Sequence, residues 1–152
     1  MADPRWIESI RTWLAGAQGR PEPDTARIGR AGERIAARHL RRQGYRVLGR
    51  NLRTKHGELD LVCMDPDRRT IVFVEVKSSG ITRPDSGTSR IPPEVHLTPA
   101  KRRKLLYLAK SLAHQRGWLE RPLRIDALAV DVPLRGEPAV RHYREIVLDR
   151  GR

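Results

Sequence analysis

The stretch TIVFVEVK at residues 70–77 constrains the fold more than any other part of the chain. In an extended strand, Ile71 and Phe73 lie on one face and three valines lie on the other. A strand that is apolar on both faces belongs inside a sheet that is covered on both sides. Glu75 and Lys77 continue the face of Ile71 and Phe73, where burial is expected. Buried charges are costly unless they are paired or bind a metal, so this strand end is a candidate site.

The neighbouring segments predict an α/β fold with a central mixed sheet that is flanked by helices. Apolar residues at helical spacing predict helices at 27–43 and 98–115. Strands are predicted at 45–48, 58–64, 70–77, 123–130 and 140–148. The turn residues Asp65, Pro66 and Asp67 predict an antiparallel hairpin between the second and third strands. Residues 78–97 are rich in Gly, Pro and Ser and predict a long loop.

The first 25 residues predict an extension to the main domain. Apolar residues recur at helical spacing within residues 3–15, and residues 16–25 (GAQGRPEPDT) have the composition of a linker. The favoured interpretation is a helix docked on the main domain, and the alternative is a partner-binding helix. We therefore divide the chain into an extension at 1–25 and one main domain at 26–152, a size that suits a single core.

The charge balance favours a polyanionic partner. The formal net charge is +13 and the isoelectric point is near 11.2, which favours nucleic acid over an acidic membrane surface. Of the 31 basic residues 26 are arginines, so a coding bias is the alternative explanation. The chain has a single cysteine, which fits a reducing compartment. It has no apolar run long enough for a membrane span, and Glu8 and Arg11 interrupt the apolar residues that a secretory signal would need. We therefore predict a cytoplasmic protein without membrane segments.

Two basic surfaces are candidates for phosphate contacts. Arginines occupy the side of the first predicted helix that is opposite its apolar stripe, and the second helix begins with four basic residues. A solvated basic face is the alternative for both. The residues predicted to bind nucleic acid are Arg30, Arg34, Arg38, Lys101, Arg102, Arg103 and Lys104.

The predicted hairpin brings Asp60 beside Glu75 and Lys77. Carboxylate oxygens from two strands suit Mg²⁺ or Mn²⁺, and a lysine can orient or deprotonate a water molecule. Asp60, Glu75 and Lys77 are therefore the candidate catalytic residues for hydrolysis of a phosphodiester bond. The spacing of these three residues in the sequence is by itself only weak evidence for such a site. The alternative is a buried ion pair between Glu75 and Lys77, with Asp60 on the surface.

Three motifs carry a resemblance to a known family. GRAGE at 29–33, NLRTKHGELDLV at 51–62 and IVFVEVK at 71–77 resemble the YraN-like family of bacterial endonuclease-like proteins, over roughly residues 28–131. That family is similar to Holliday-junction resolvases with the restriction-endonuclease-like PD-(D/E)XK core. The resemblance implies that Asp60 and Glu75 bind a metal, that Glu33 joins them and that Lys77 is the catalytic lysine. The chain departs from the family pattern after that lysine, where it has SSG at 78–80.

Three functions of different classes follow. The first is a metal-dependent endonuclease that hydrolyses DNA, with branched or structured DNA as the substrate suggested by the resemblance. The second is a nucleic-acid-binding module that keeps the fold without turnover, and a scaffold that binds another acidic partner is a third. The intact set of two acids and a lysine favours the first. A homodimer is expected only by analogy with resolvases, which cut symmetric junctions.

Overall fold

A computed structural model describes residues 23–81 and 98–147. The predicted helix at 3–15 and residues 82–97 of the predicted loop lie outside the described residues. Within them, the elements in chain order are α1 (Pro23–Arg42), β1 (Arg46–Thr54), β2 (Gly57–Met64), β3 (Ile71–Ile81), α2 (Pro99–Arg116), β4 (Leu123–Pro133) and β5 (Ala139–Val147).

The five strands form one mixed sheet in the order β1-β2-β3-β4-β5. β3 pairs with β2 antiparallel and with β4 parallel, and both edge strands are antiparallel to their neighbours. The predicted hairpin and the central position of β3 are thus confirmed. Residues at the carboxyl end of β3 therefore lie in the middle of the sheet, between strands rather than at its edge.

Each face of the sheet packs against one helix. Ala36, Ala37 and Leu40 of α1 pack on the face that carries Val72 and Val74. Leucines and alanines of α2 pack on the opposite face, which carries Ile71 and Phe73, and the buried ones are Leu105, Leu108, Ala109, Leu112 and Ala113. Trp118 packs at the edge of this second core. The alternation that the sequence predicts for β3 is thus confirmed, and the fold is α/β with helices on both faces.

Several predicted boundaries are wrong, because the helix or strand in the structure extends beyond the residues that the sequence predicts for it. α1 begins at Pro23, inside the predicted linker, where proline suits the first helical position and Asp24 favours the positive end of the helix. β1 continues to Thr54 instead of ending at 48. β3 and β4 run on to Ile81 and Pro133, because the two strands pair along their whole length. The boundary between extension and domain stays a prediction.

A buried charge network joins β4, β5 and the turn after β2. The side chain of Asp126 is 0% exposed, and it accepts hydrogen bonds from Arg124 at 2.8 Å and from His142 at 2.8 Å. Arg124 also contacts Asp65 at 2.7 Å and donates a hydrogen bond to Tyr45. Burial alone would raise the pKa of Asp126, but these hydrogen bonds outweigh it and hold the pKa below its usual value. The network is a structural element of the α1 face.

No helix in the two described segments is both long and apolar enough to span a membrane.

Candidate functional site

Asp60 is held against the central strand by a backbone hydrogen bond. The ladder between β2 and β3 ends at the pair of Leu61 with Val74. One residue further, the Asp60 carboxylate accepts a hydrogen bond from the Val76 amide at 2.7 Å. The side chain therefore binds β3 at the residue between Glu75 and Lys77, and its position is fixed by both strands.

Glu75 and Lys77 form an ion pair beside this contact. The Lys77 Nζ lies 2.8 Å from a Glu75 carboxylate oxygen, and the two side chains are 34% and 18% exposed. The ion pair that the alternative interpretation required is therefore present. The same interpretation also required a surface position for Asp60, yet this side chain is only partly exposed. The structure thus brings all three predicted catalytic residues together.

The electrostatics of Asp60 are unusual for an aspartate. Burial and the negative charge of Glu75 raise the pKa of Asp60 to about 7, and Glu33 adds to the shift. The Val76 amide and Lys77 act in the opposite direction, but they compensate only in part. A carboxylate pair that repels itself near neutral pH favours binding of a cation, because a divalent ion removes the repulsion.

Glu33 reaches the site because α1 approaches β3 very closely. Gly32 is buried, and a Cβ atom at this position would overlap the side chain of Ser78, which follows Lys77 directly. Only glycine allows this approach. Glu33 borders a groove of about 280 Å³ between α1 and the end of β3, together with Thr25, Ile28, Gly29, Val76, Ser78 and Gly80. The GRAGE motif therefore has a structural explanation: Gly32 permits the contact that places Glu33 near Asp60.

The first turns of α2 add two lysines to the site. Burial lowers the pKa of Lys101 and the pKa of Lys104, and the charges of both interact with Glu75 and Lys77. Arg102 and Arg103 are exposed instead. The prediction treated residues 101–104 as one basic surface. The structure divides them into two partly buried lysines whose charges interact with Glu75 and two exposed arginines.

The arginine face of α1 is on the surface, as the helical periodicity predicts. Arg30, Arg34 and Arg38 are all exposed. Arg27 lies on the same helix and is paired with Asp24 at 3.0 Å, so it offers less charge to a ligand. Contact of this face with nucleic acid stays a prediction.

The site offers a small number of acidic side chains to a cation. In the part of the chain that the structure describes, no group of three or more His, Cys, Asp and Glu side chains is arranged to hold a metal ion. Asp60 and Glu75 provide two carboxylates, and Mg²⁺ often keeps several waters while binding only one or two. Two hard ligands thus fit Mg²⁺ or Mn²⁺. A direct ligand role for Glu33 stays a prediction.

Comparison with known proteins assigns the chain to a family. The family model described as "Uncharacterised protein family UPF0102" matches residues 32–130. The chain belongs to the UPF0102 family. A UPF0102 protein from Anaeromyxobacter dehalogenans is 39% identical over 130 residues, which are 86% of this chain and 90% of that protein. One from Mycobacterium avium is 43% identical over 121 residues, covering 78% and 88%. The resemblance to the YraN-like family is thus confirmed.

The part that matches UPF0102 contains Glu33, Asp60, Glu75 and Lys77, whereas Arg30 and three residues of the groove beside Glu33 precede it. It begins at residue 32, so it includes Gly32 and Glu33, and it extends through β2, β3 and α2 into β4. The first nine residues of α1 and the whole of β5 lie outside it. The predicted metal ligands and the predicted catalytic lysine therefore lie within the part of the chain that matches the family.

One pair of side chains near the site was missed by sequence reasoning. His56, in the turn after β1, is only partly exposed, and its Nε2 lies 3.0 Å from the hydroxyl of Tyr107 on α2. Gly57 allows α2 to lie close to this turn, since it has a φ of +148° and a Cβ there would lie 3.2 Å from Leu108. Local patterns do not reveal a contact between residues 51 positions apart.

Proposed function

We propose that this UPF0102 protein is a divalent-metal-dependent endonuclease that hydrolyses phosphodiester bonds in DNA. The observation that carries the proposal is the Asp60 carboxylate, whose pKa is raised to about 7 by burial and by Glu75, beside the Lys77 ammonium. Shifted carboxylates next to a lysine are typical of sites that bind a metal and move protons. A purely structural ion pair would need only Glu75 and Lys77.

Each residue of the site has a separate role in this proposal. Asp60 and Glu75 hold the cation, and the Val76 amide keeps the Asp60 carboxylate in place. Bound Mg²⁺ or Mn²⁺ would supply a Lewis acid for the phosphoryl oxygens and a more acidic water. Lys77 lies within hydrogen-bond reach of Glu75 at 2.8 Å, so it can orient the attacking water or stabilise the developing negative charge. Glu33 tunes the charge of the pair from α1.

The basic surfaces support DNA as the substrate. The chain carries a formal charge of +13, and Arg30, Arg34 and Arg38 form an exposed row on the helix that also carries Glu33. Lys101 and Lys104 add positive charge near Glu75. This arrangement suits a phosphate backbone that passes over the site. Branched DNA and action as a homodimer are further parts of the proposal, and both rest on the resemblance to resolvases.

A cleavage assay tests the proposal. End-labelled single strands, duplexes, flaps and four-way junctions of related sequence are incubated with protein in EDTA, Mg²⁺ or Mn²⁺. We expect metal-dependent cleavage of at least one structure by the wild type, and its loss in Lys77→Ala and Glu75→Gln. Glu137→Gln is the matched control, since Glu137 is exposed in the loop after β4.

Two results would contradict the nuclease assignment. DNA binding without cleavage of any structure by the wild type would favour the non-catalytic binding module. Cleavage that persists at full rate in both Lys77→Ala and Glu75→Gln would show that the activity resides elsewhere or comes from a contaminant.

A further inference from the structure

A second groove, of about 490 Å³, lies between the turn that joins β1 to β2 and the outer side of α2. None of the described residues that line it is acidic, and several are cationic or aromatic. They include Lys55, His56, Tyr107, Lys110, His114 and Leu119. The volume lies within the usual range for small-ligand sites. A basic groove with aromatic and apolar walls suits a ligand that has both a negative charge and a flat apolar ring.

Tyr107 presents its ring in a fixed orientation. The side chain is 40% exposed, and its hydroxyl is hydrogen-bonded to His56 at 3.0 Å. The two rings meet edge to face, with centroids 4.9 Å apart and planes at 83°. An aromatic ring that is already held in place loses little entropy when another ring stacks on it.

The groove is connected to the candidate active site through α2 and β2. A Cβ at Gly57, next to His56, would lie 3.4 Å from the Cε of Lys104, and the charge of Lys104 interacts with Glu75. Along β2, Gly57 precedes Asp60 by three residues, or roughly 10 Å of extended strand. That length corresponds to about three nucleotide rises of 3.4 Å along one strand of a helix. One DNA strand can therefore reach both places.

We propose that this groove binds an unpaired nucleotide of the DNA strand, with its base stacked on Tyr107 and its phosphate held by Lys55 and Lys110. A base inside a duplex is stacked on both faces, so it must leave the stack before it can contact Tyr107. Unpaired bases in single strands, flaps and junctions are available without that cost. The identity of the ligand rests on the proposed function, and the inference adds selection for unpaired nucleotides near the cleaved bond.

Binding measurements in EDTA test this inference independently of cleavage. Fluorescence anisotropy gives the Kd of the wild type for a labelled single strand and for a blunt duplex of the same sequence. We expect Tyr107→Ala to weaken single-strand binding about tenfold or more, the usual effect of losing one base–aromatic contact, and to leave duplex binding unchanged. Tyr107→Phe should retain single-strand binding, because it keeps the ring. Leu134→Ala, at an exposed apolar residue in the loop after β4, is the control.

Three results would overturn the inference: unchanged binding by Tyr107→Ala, an equal loss for both DNA forms, or a loss in Tyr107→Phe as large as in Tyr107→Ala. If thermal melting shows that Tyr107→Ala is unfolded, Tyr107→Leu replaces it, since leucine keeps apolar bulk without an aromatic face. A wild type that cleaves DNA while Tyr107→Ala binds normally would refute this inference alone. A selective loss of single-strand binding in a protein that never cleaves would refute the nuclease proposal alone.

Discussion

Asp60→Asn should make the metal-free protein more stable at neutral and alkaline pH. The pKa of Asp60 is raised from the ordinary aspartate value of 3.8 to about 7, first by burial and then by Glu75. Each pH unit between the folded and unfolded values is worth about 1.4 kcal/mol. Ionised Asp60 therefore costs the folded state about 4 kcal/mol above pH 7. Asparagine avoids this cost, and its side-chain oxygen can still accept the hydrogen bond from the Val76 amide.

The pH window of the effect follows from the direction of the shift. Below the unfolded value of 3.8 the carboxyl is protonated in both states, so Asp60 carries no penalty. Between 3.8 and about 7 the folded state binds more protons than the unfolded state, so this group lowers stability as the pH rises. Above this window the penalty is constant. The stability of Asp60→Asn relative to wild type should thus increase by about 3 kcal/mol between pH 4.5 and pH 8.

Urea denaturation in EDTA, followed by circular dichroism and extrapolated to zero denaturant, measures this difference. The series runs at several pH values with wild type, Asp60→Asn and the control Asp24→Asn, which alters an exposed aspartate. A difference between Asp60→Asn and wild type that stays constant from pH 4.5 to pH 8 would refute the argument from burial and repulsion. Mg²⁺ at pH 8 should then stabilise wild type and leave Asp60→Asn unchanged, because only the wild type has both carboxylates.

Three further predictions concern the metal, the DNA and the buried network. Saturating Mg²⁺, at about 100 times its Kd, should stabilise the wild type by about 2.7 kcal/mol and stabilise Glu75→Gln far less. If Mg²⁺ raises the melting temperatures of both proteins equally, the result would argue against this metal site. The double variant Arg34→Gln/Arg38→Gln should reduce the slope of log K against log salt by about 1.8 for duplex DNA, while Arg34→Lys/Arg38→Lys keeps the slope; an unchanged slope in the Gln pair would mean that the basic face is compositional. Asp126→Asn should cost about 3–5 kcal/mol in urea denaturation, because it removes the charge of a fully buried carboxylate that Arg124 and His142 both contact, and a cost as small as that of the exposed Asp24→Asn would show that the network is dispensable.

The residues on the hairpin could be predicted because their placement depends on short-range rules. The two-residue period of a strand puts Glu75 and Lys77 on one face, and the turn after β2 brings Asp60 alongside. Repulsion between two close carboxylates predicts a raised pKa for Asp60 or Glu75. It does not predict which of the two, since the shift of Asp60 depends first on how deeply its side chain is buried. Such burial depends on tertiary packing, which a local sequence pattern does not show.

Long-range contacts account for what the sequence did not reveal. The contact between Asp126 and His142 could not be predicted, since His142 lies on another strand and belongs to no motif. The composition of residues 78–81 predicts a loop, yet these residues form the end of β3 because they pair with β4. Likewise, Lys101 and Lys104 differ from Arg102 and Arg103 only through the side of α2 on which they lie.

The parallel ladder between β3 and β4 determines the order in which this chain can fold during synthesis. Each residue of β3 pairs with one 52 positions later, as Ile71 does with Leu123, whereas β1, β2 and β3 pair through short turns. At about 5–20 residues per second, a ribosome needs about 3–10 s to supply the partner strand. During that time one edge of a strongly apolar strand has no neighbour, and such edges associate with other chains. We expect misassembly of this protein to occur by exchange of β4 between two copies.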